Sequence, residues 1–321
     1  MSQSDQPPSE APAHGLSVRI DTDEIVSPYR RGGLNERTSQ NRYMKWRAGQ
    51  SAPIEFLVPR MFRKIVAEWP GYMTEQRGHL DLSPQQLTEQ VRRLDPWLVP
   101  FRLGHDVCTI DVKSKEGQQN VENYLYRRDL ITGSVAEVLG NDLGDTTVLD
   151  VGCNSGFFSL DLAARGAKQV DGIDLRAANI ERAQFVKEHY GAENVSFSVS
   201  DADDLPTGQQ WDVVLNLGVL YHVMNPLELI RRTFELCRRF AIIDTVTHLE
   251  PVSGFFLFGD KNAEHPTEGR ETCELHPTYR GAIETITYAG FREVIEFVGT
   301  GKKAVHPLYS AGQRRCFLAI K

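Results

Sequence analysis

VLDVGCNSGFF, at residues 148–158, is the stretch of sequence that decides the fold. Its apolar residues run up to Asp150, and Gly152, Asn154 and Gly156 then follow at two-residue spacing. The pattern predicts a strand, a glycine loop and a helix, where the backbone can approach a nucleotide-like ligand closely. About twenty residues later, the short strand VDGIDL ends in Asp174, which favours hydrogen bonds to ribose hydroxyls. Dinucleotide-binding sites share this spacing, so the glycines alone do not identify the ligand.

Three later segments extend the same rhythm of strand and helix. They are VSFSVSDADDLP at 195–206, WDVVLNLGVLYHVMNP at 211–226 and RRFAIIDTVT at 238–247. Alternating strands and helices predict a parallel sheet with helices on both faces. With the first two motifs, these segments resemble the class I S-adenosylmethionine-dependent methyltransferases over residues 124–321. The resemblance implies an α/β fold, with a Rossmann-like seven-stranded class I methyltransferase sheet whose last strand is antiparallel near the sheet edge, and an N-terminal mainly helical cap.

The same resemblance implies a binding site for S-adenosyl-L-methionine. Asp174 would accept the ribose hydroxyls, Asp201 with Ala202 would meet adenine, and residues 216–218 would face the methionine end. The residues expected to contact the cofactor are Asp150, Gly152, Asn154, Gly156, Asp174, Leu175, Asp201, Ala202, Asn216, Leu217 and Gly218.

Candidate catalytic residues follow strands four and five, where ligands of open α/β sheets bind. Tyr221 is placed to cover the sulfonium, and His222 or His248 is the candidate base, since histidine titrates near neutral pH. Asp244, His248 and Glu250 form a second polar group that orients a base or holds a cation; we expect no metal, because no second ligand run supports one.

A long insertion, residues 251–275, follows the fifth predicted strand and precedes the next helix. His265 and His276 lie in it or beside it. Because the insertion mixes an aromatic run with a polar loop, it is interpreted either as part of a substrate cap or as a surface excursion.

The segments LGVLYH, at 217–222, and YLYRRDLI, at 124–131, most resemble the branch that contains the tRNA wobble-uridine carboxymethyltransferase and bacterial relatives. Carboxymethyl transfer calls for a cation near the transferred group, and Arg102 and His105 are the candidates. The lysine that this branch implies is absent, so methyl transfer from ordinary S-adenosylmethionine is favoured.

Charge is spread unevenly along the 321 residues. The net charge is −7, yet nine cations and two acids give residues 29–64 a net charge of +7. The cations are interleaved with Tyr29, Tyr43 and Trp46, which could stack on bases. This basic arm is expected to bind RNA, a small anionic substrate, or the acidic body of the same or a second subunit.

The composition suggests a cytoplasmic enzyme. No apolar run is long enough to span a bilayer, no secretory signal is present, and the five cysteines form no CxxC pair. We expect a disordered tail at 1–28, a helical cap at 29–120 and the methyltransferase domain at 121–321. The favoured acceptor is a small molecule of bacterial metabolism; tRNA modification and a non-catalytic binding or scaffold role are the alternatives, and a homo-oligomer is possible.

Overall fold

The computed structural model describes residues 18–19, 80–205, 208–259, 273–297 and 307–321. The predicted basic arm and His265 lie outside these ranges. Residues 18 and 19 of the predicted tail form a short strand that pairs with a strand near the other end of the chain.

An eight-stranded sheet organises the described part of the chain. Its strands are β1 (Val18–Arg19), β2 (Thr147–Val151), β3 (Gln169–Asp174), β4 (Val195–Val199), β5 (Trp211–Leu217), β6 (Cys237–Val246), β9 (Glu293–Phe297) and β10 (Arg314–Ile320). They lie in the order β1-β9-β10-β6-β5-β2-β3-β4, and strands β2 to β6 are parallel. Seven of these strands form the predicted sheet, which confirms the fold class. The last strand is antiparallel as predicted, but it lies between β6 and β9 and not near the edge.

Helices cover both faces of this sheet. They are α1 (Pro84–Arg93), α2 (Lys115–Arg128), α3 (Ser134–Val138), α4 (Phe157–Ala164), α5 (Ala177–Tyr190), α6 (Pro226–Leu236), α7 (Tyr279–Tyr288) and α8 (Pro307–Ser310). Helices α1 to α5 pack on one face, and α6 and α7 pack on the other. Adjacent strand residues point to opposite faces, so Val148 and Leu149 enter different cores. Burial on both faces explains why the parallel strands are continuously apolar.

The helical segment from residue 115 to residue 138 is interrupted. A π-helical turn, Asp129–Gly133, joins α2 to α3. Within it, the Thr132 hydroxyl donates to the Arg128 carbonyl, and the Arg128 guanidinium donates to the Asp129 carboxylate at 2.5–2.7 Å. These buried polar contacts stabilise the widened turn, which apolar periodicity alone does not reveal.

The described part of the predicted cap shares the core of the methyltransferase domain. Ser83 caps α1 in a capping box, and Pro84 occupies the first turn. The chain then runs irregularly, and Trp97 and Phe101 pack among the aromatic side chains of α4 and α5. Residues 80–120 therefore form a layer on the sheet, and no separate core is seen within them.

Part of the predicted insertion forms a hairpin next to the main sheet. Strands β7 (Phe255–Phe258) and β8 (Glu274–Pro277) pair in antiparallel register, with Phe256 opposite His276. Among the described residues, no helix combines the length and apolar character needed to cross a bilayer.

Candidate functional site

A cavity of about 410 Å³ opens where the parallel strands end. That position and volume are typical of ligand sites in open α/β sheets. The structure brings most of the predicted cofactor residues to this cavity: Asp150, Gly152, Asn154, Asp174, Leu175, Asp201, Ala202, Leu217 and Gly218. Two of the predicted catalytic residues, Tyr221 and His222, line it as well.

The glycine loop after β2 follows a backbone path that requires small or tolerant residues. Gly152 has φ +71° and Asn154 has φ +50°, both in the left-handed region. A Cβ on Gly152 would lie 2.4 Å from the Val219 side chain, so the loop and the segment after β5 approach closely at this point. The side-chain Oδ1 of Asn154 accepts a hydrogen bond from the Ser155 amide at 2.7 Å, which stabilises the turn.

Asp150 is a buried carboxylate at the cavity wall, with an exposed fraction of 1%. Its Oδ2 accepts a hydrogen bond from the Ser159 hydroxyl at 2.5 Å, while Oδ1 has no partner among the described residues. Burial raises the pKa of Asp150 to about 7, a rise that the Ser159 hydrogen bond opposes and the Asp174 charge reinforces. A buried acceptor atom without a partner at a cavity wall suits a ligand that donates.

Asp174 joins the ends of the loop and of β3. Its Oδ2 accepts from the Asn154 amide at 2.9 Å, and its Oδ1 accepts from the Arg176 amide at 2.9 Å and the Asn179 side chain at 3.0 Å. Burial raises its pKa, although these hydrogen bonds act in the opposite direction. A carboxylate offers about four acceptor positions. Asp174 therefore retains roughly one for a ligand.

Two predicted cofactor residues lie away from the cavity wall. Gly156 starts α4 with φ +82°, and a Cβ there would lie 2.5 Å from the Phe197 ring of β4. Gly156 therefore allows the helix to pack closely on the sheet. The Asn216 side chain is fully buried and donates to the Thr233 hydroxyl of α6 at 3.4 Å. Because successive strand residues alternate, the Leu217 side chain faces the cavity and the Asn216 side chain faces away from it.

Arginines that the sequence analysis did not select also line the cavity. Arg127 of α2 and Arg314 of β10 both donate to Oδ1 of the buried Asp244, at 3.0 and 2.7 Å, and Tyr309 donates to its other oxygen. Burial alone would raise the pKa of Asp244, but Arg314 and Arg127 hold it below its usual value. Two guanidinium groups share one carboxylate, so this part of the cavity carries excess positive charge.

Arg102 and His105, the cations predicted near a transferred carboxymethyl group, do not line the cavity. The Arg102 guanidinium lies 3.7 Å from the Asp106 carboxylate. Arg127 and Arg314, by contrast, line the cavity. Arg127 precedes Asp244 by 117 residues and Arg314 follows it by 70, so no local sequence pattern encodes their pairing with Asp244.

The segment after β5, which lines the cavity, packs against the hairpin. The Tyr221 ring lies 4.2 Å from the His222 ring and 5.4 Å from the His276 ring. Glu274 of β8 is buried between the histidines, with Oε2 2.6 Å from His276 Nε2 and Oε1 3.3 Å from His222 Nδ1. The sequence analysis missed Glu274, because only hairpin pairing brings it to His222.

His248 does not line the cavity, and the predicted group of Asp244, His248 and Glu250 is divided. Asp244 pairs with Arg127 and Arg314, a group called the arginine cluster below. The His248 ring instead stacks on Phe258 with the ring centres 5.2 Å apart, and it lies 5.5 Å from the His276 ring. Burial and the neighbouring His276 lower the pKa of His248. In the part of the chain that the structure describes, no group of three or more potential ligands is arranged to hold a metal ion.

A model of the methyltransferase domain family matches residues 143–312, which is more than half of the chain. The chain belongs to the methyltransferase domain family. Its match covers β2 through α8, the elements that supply most of the cavity wall. This result confirms the family indicated by the motifs.

Curated relatives of this methyltransferase domain act on different acceptors. The ubiquinone biosynthesis O-methyltransferase of Ruegeria pomeroyi is 35% identical over 119 residues, which cover 35% of this chain and 47% of the relative. The tRNA U34 carboxymethyltransferase of Marinobacter nauticus is 38% identical over 88 residues, which cover 27% of each protein. The chain thus spans about half the length of the first relative and about a quarter of the second.

A solved structure supports the fold of the methyltransferase domain. The N-terminal domain of EvdMO1, crystallised in the presence of SAH and D-fucose, aligns with a TM-score of 0.56 and 18% identity. The alignment covers 76% of this chain and 98% of that domain. At this level of identity the likeness establishes a shared fold.

Proposed function

We propose that this methyltransferase-domain protein is an enzyme that transfers a methyl group from S-adenosyl-L-methionine to a small-molecule acceptor. The observation that carries the proposal is the pairing of two buried carboxylates, Asp150 and Asp174, at the ends of adjacent strands in one cavity. S-adenosylmethionine, when bound, supplies an electrophilic methyl group on a sulfonium.

The cavity residues fit the parts of this cofactor. The partnerless Oδ1 of Asp150 suits the methionine ammonium, and the remaining acceptor position of Asp174 suits a ribose hydroxyl. Asp201 and Ala202 line the cavity beyond β4, where adenine is expected. Arg127, which lies close enough to influence the pKa of Asp150, suits the methionine carboxylate.

The chain's own contribution to methyl transfer is mainly proximity and orientation. Leu217, Gly218 and Tyr221 form the wall between the cofactor end and the mouth of the cavity. A Cβ on Gly218 would lie 3.1 Å from Arg314 and 3.4 Å from the Tyr221 hydroxyl, so these polar groups converge on one spot. His222, at the mouth, is the side chain placed to take a proton from an acceptor.

A small acceptor is supported by the likeness to a curated relative named for ubiquinone biosynthesis. The described cysteines all carry free thiols, which supports the predicted cytoplasmic location.

Modification of tRNA is a second candidate, favoured by the likeness to tRNA U34 carboxymethyltransferases and by the +7 charge of residues 29–64. Arg314 is a cavity cation that suits a carboxylated methyl group. If several phosphates are neutralised, tRNA affinity should fall steeply between 50 and 200 mM salt. Binding that is absent or insensitive to salt would exclude this candidate.

Calorimetric titration of the full chain with S-adenosylmethionine tests the main proposal. We expect saturable binding at one site per chain. The absence of binding would favour the non-catalytic alternative, a scaffold that retains the fold without the chemistry.

A further inference from the structure

The β7–β8 hairpin places a buried carboxylate between two imidazoles at the acceptor end of the cavity. Glu274 has an exposed fraction of 5%. Its Oε2 is hydrogen-bonded to His276 Nε2 at 2.6 Å, whereas its Oε1 lies 3.3 Å from His222 Nδ1, an ion-pair contact whose angles fall outside hydrogen-bond geometry. Of these three residues, His222 lines the cavity.

Ring packing holds both imidazoles in place. Tyr221 contacts the rings of His222 and His276, and Phe258 packs against His276 with the ring centres 4.5 Å apart. The contacts join the segment after β5 to both strands of the hairpin. The orientation of His222 therefore depends on the hairpin, and Glu274 is the charged group that the hairpin supplies to it.

We propose that Glu274 is a positioning residue that makes His222 the base for an acceptor hydroxyl, so that the acceptor class is an alcohol or a phenol. The inference rests on the proposed function. A carboxylate facing Nδ1 favours the tautomer with its proton on Nδ1, which leaves the Nε2 lone pair to accept a proton. The same carboxylate stabilises the imidazolium that forms, as in other base–orienter pairs.

The transfer step balances without another reactant. The acceptor oxygen forms a bond to the methyl carbon while the carbon–sulfur bond breaks, and sulfur leaves as a neutral thioether with the bonding pair. The hydroxyl proton moves to Nε2 of His222, and the product is a methyl ether.

Burying a carboxylate beside two imidazoles costs desolvation free energy. A base serves a hydroxyl acceptor, whereas a neutral amine attacks through its own lone pair.

The decisive measurement is the tautomer of His222 in the full chain with bound S-adenosylhomocysteine, read from long-range ¹H–¹⁵N NMR spectra of histidine-labelled protein. In the unmodified chain we expect the Nδ1–H form. Glu274→Gln removes the charge but keeps the shape, and it should shift the population towards Nε2–H. Glu284→Gln is the matched control, because Glu284 pairs with Arg280 on the outer surface of α7. If Glu274→Gln does not fold, Glu274→Asp gives a second test, because the shorter side chain withdraws the carboxylate from His222 and should also shift the population towards Nε2–H.

Activity gives a second readout. With methyl-labelled S-adenosylmethionine and the small-molecule fraction of a cell extract, Glu274→Gln should lower label transfer at least tenfold, and Glu284→Gln should not. An Nε2–H form in the unmodified chain, or a tautomer that Glu274→Gln leaves unchanged, would overturn the inference. Label found on nitrogen or sulfur would overturn the acceptor class. Absence of label from every variant, with the tautomer shift intact, would contradict the proposed function and leave the positioning role supported.

Discussion

At the scale of single residues, burial and ionisation oppose each other at Asp150. Its folded pKa is about 7, against about 3.9 for an unfolded aspartate. Between these values the folded state binds more protons, so this residue's contribution to stability is present below about pH 4 and is lost as the pH rises towards 7. The free energy of unfolding should fall by up to about 1.4 kcal/mol per pH unit in that window and level off above it.

Urea denaturation from pH 4 to 8 measures this effect when the chain is compared with Asp150→Asn, which cannot ionise. The unfolding free energy of the variant minus that of the unmodified chain should increase as the pH rises to about 7, because only the unmodified chain loses stability there. A difference that does not change with pH would show that Asp150 is ionised throughout.

Asp174 gives a prediction for cofactor affinity. Asp174→Ala should weaken S-adenosylmethionine binding by about 1–3 kcal/mol, because it removes a ribose acceptor and also releases the Asn154 amide that holds the loop. Asp171→Asn is the matched control, since Asp171 lies on the same strand and accepts from Ser196 and Trp211, away from the cavity. Calorimetry measures the S-adenosylmethionine affinity of both variants. Equal affinities would show that Asp174 does not contribute to the binding site.

At the scale of elements, Asp244 joins four of them. It lies on β6, and its partners come from α2, α8 and β10. Asp244→Ala would remove a fully buried carboxylate and leave two partly buried guanidinium groups without it, which should cost about 3–5 kcal/mol of stability. Glu228→Ala, which removes an exposed partner of Arg231, should leave the urea midpoint unchanged. A similar midpoint for both variants would contradict the account of the cluster.

The elements also show what the sequence could and could not predict. Apolar runs and glycine spacing predicted the parallel strands and the loop, because these are local properties of the chain. A motif that groups residues 216–218 does not reveal that strand alternation directs the Asn216 side chain away from the cavity that Leu217 lines. Arg127, Arg314 and Glu274 could not be found in this way, because their partners are brought together only by the sheet and the hairpin.

At the scale of the whole molecule, the structure joins two kinds of surface in one cavity. The carboxyl ends of β2 and β3 supply the carboxylates that suit a cofactor, and the segment after β5 supplies His222, which lines the cavity and contacts Glu274 of the β7–β8 hairpin. Arginines from α2 and β10 lie between these two regions of the wall. This separation of roles within one cavity is the arrangement that a group-transfer enzyme requires.

Label transfer tests the central claim most directly. The full chain is incubated with methyl-labelled S-adenosylmethionine and a cell extract, and the products are separated into RNA and small-molecule fractions, with Asp174→Ala as the control. We predict label in the small-molecule fraction and a strongly reduced amount with the variant. Label confined to RNA, or no transfer at all, would contradict the proposed small-molecule methyltransferase.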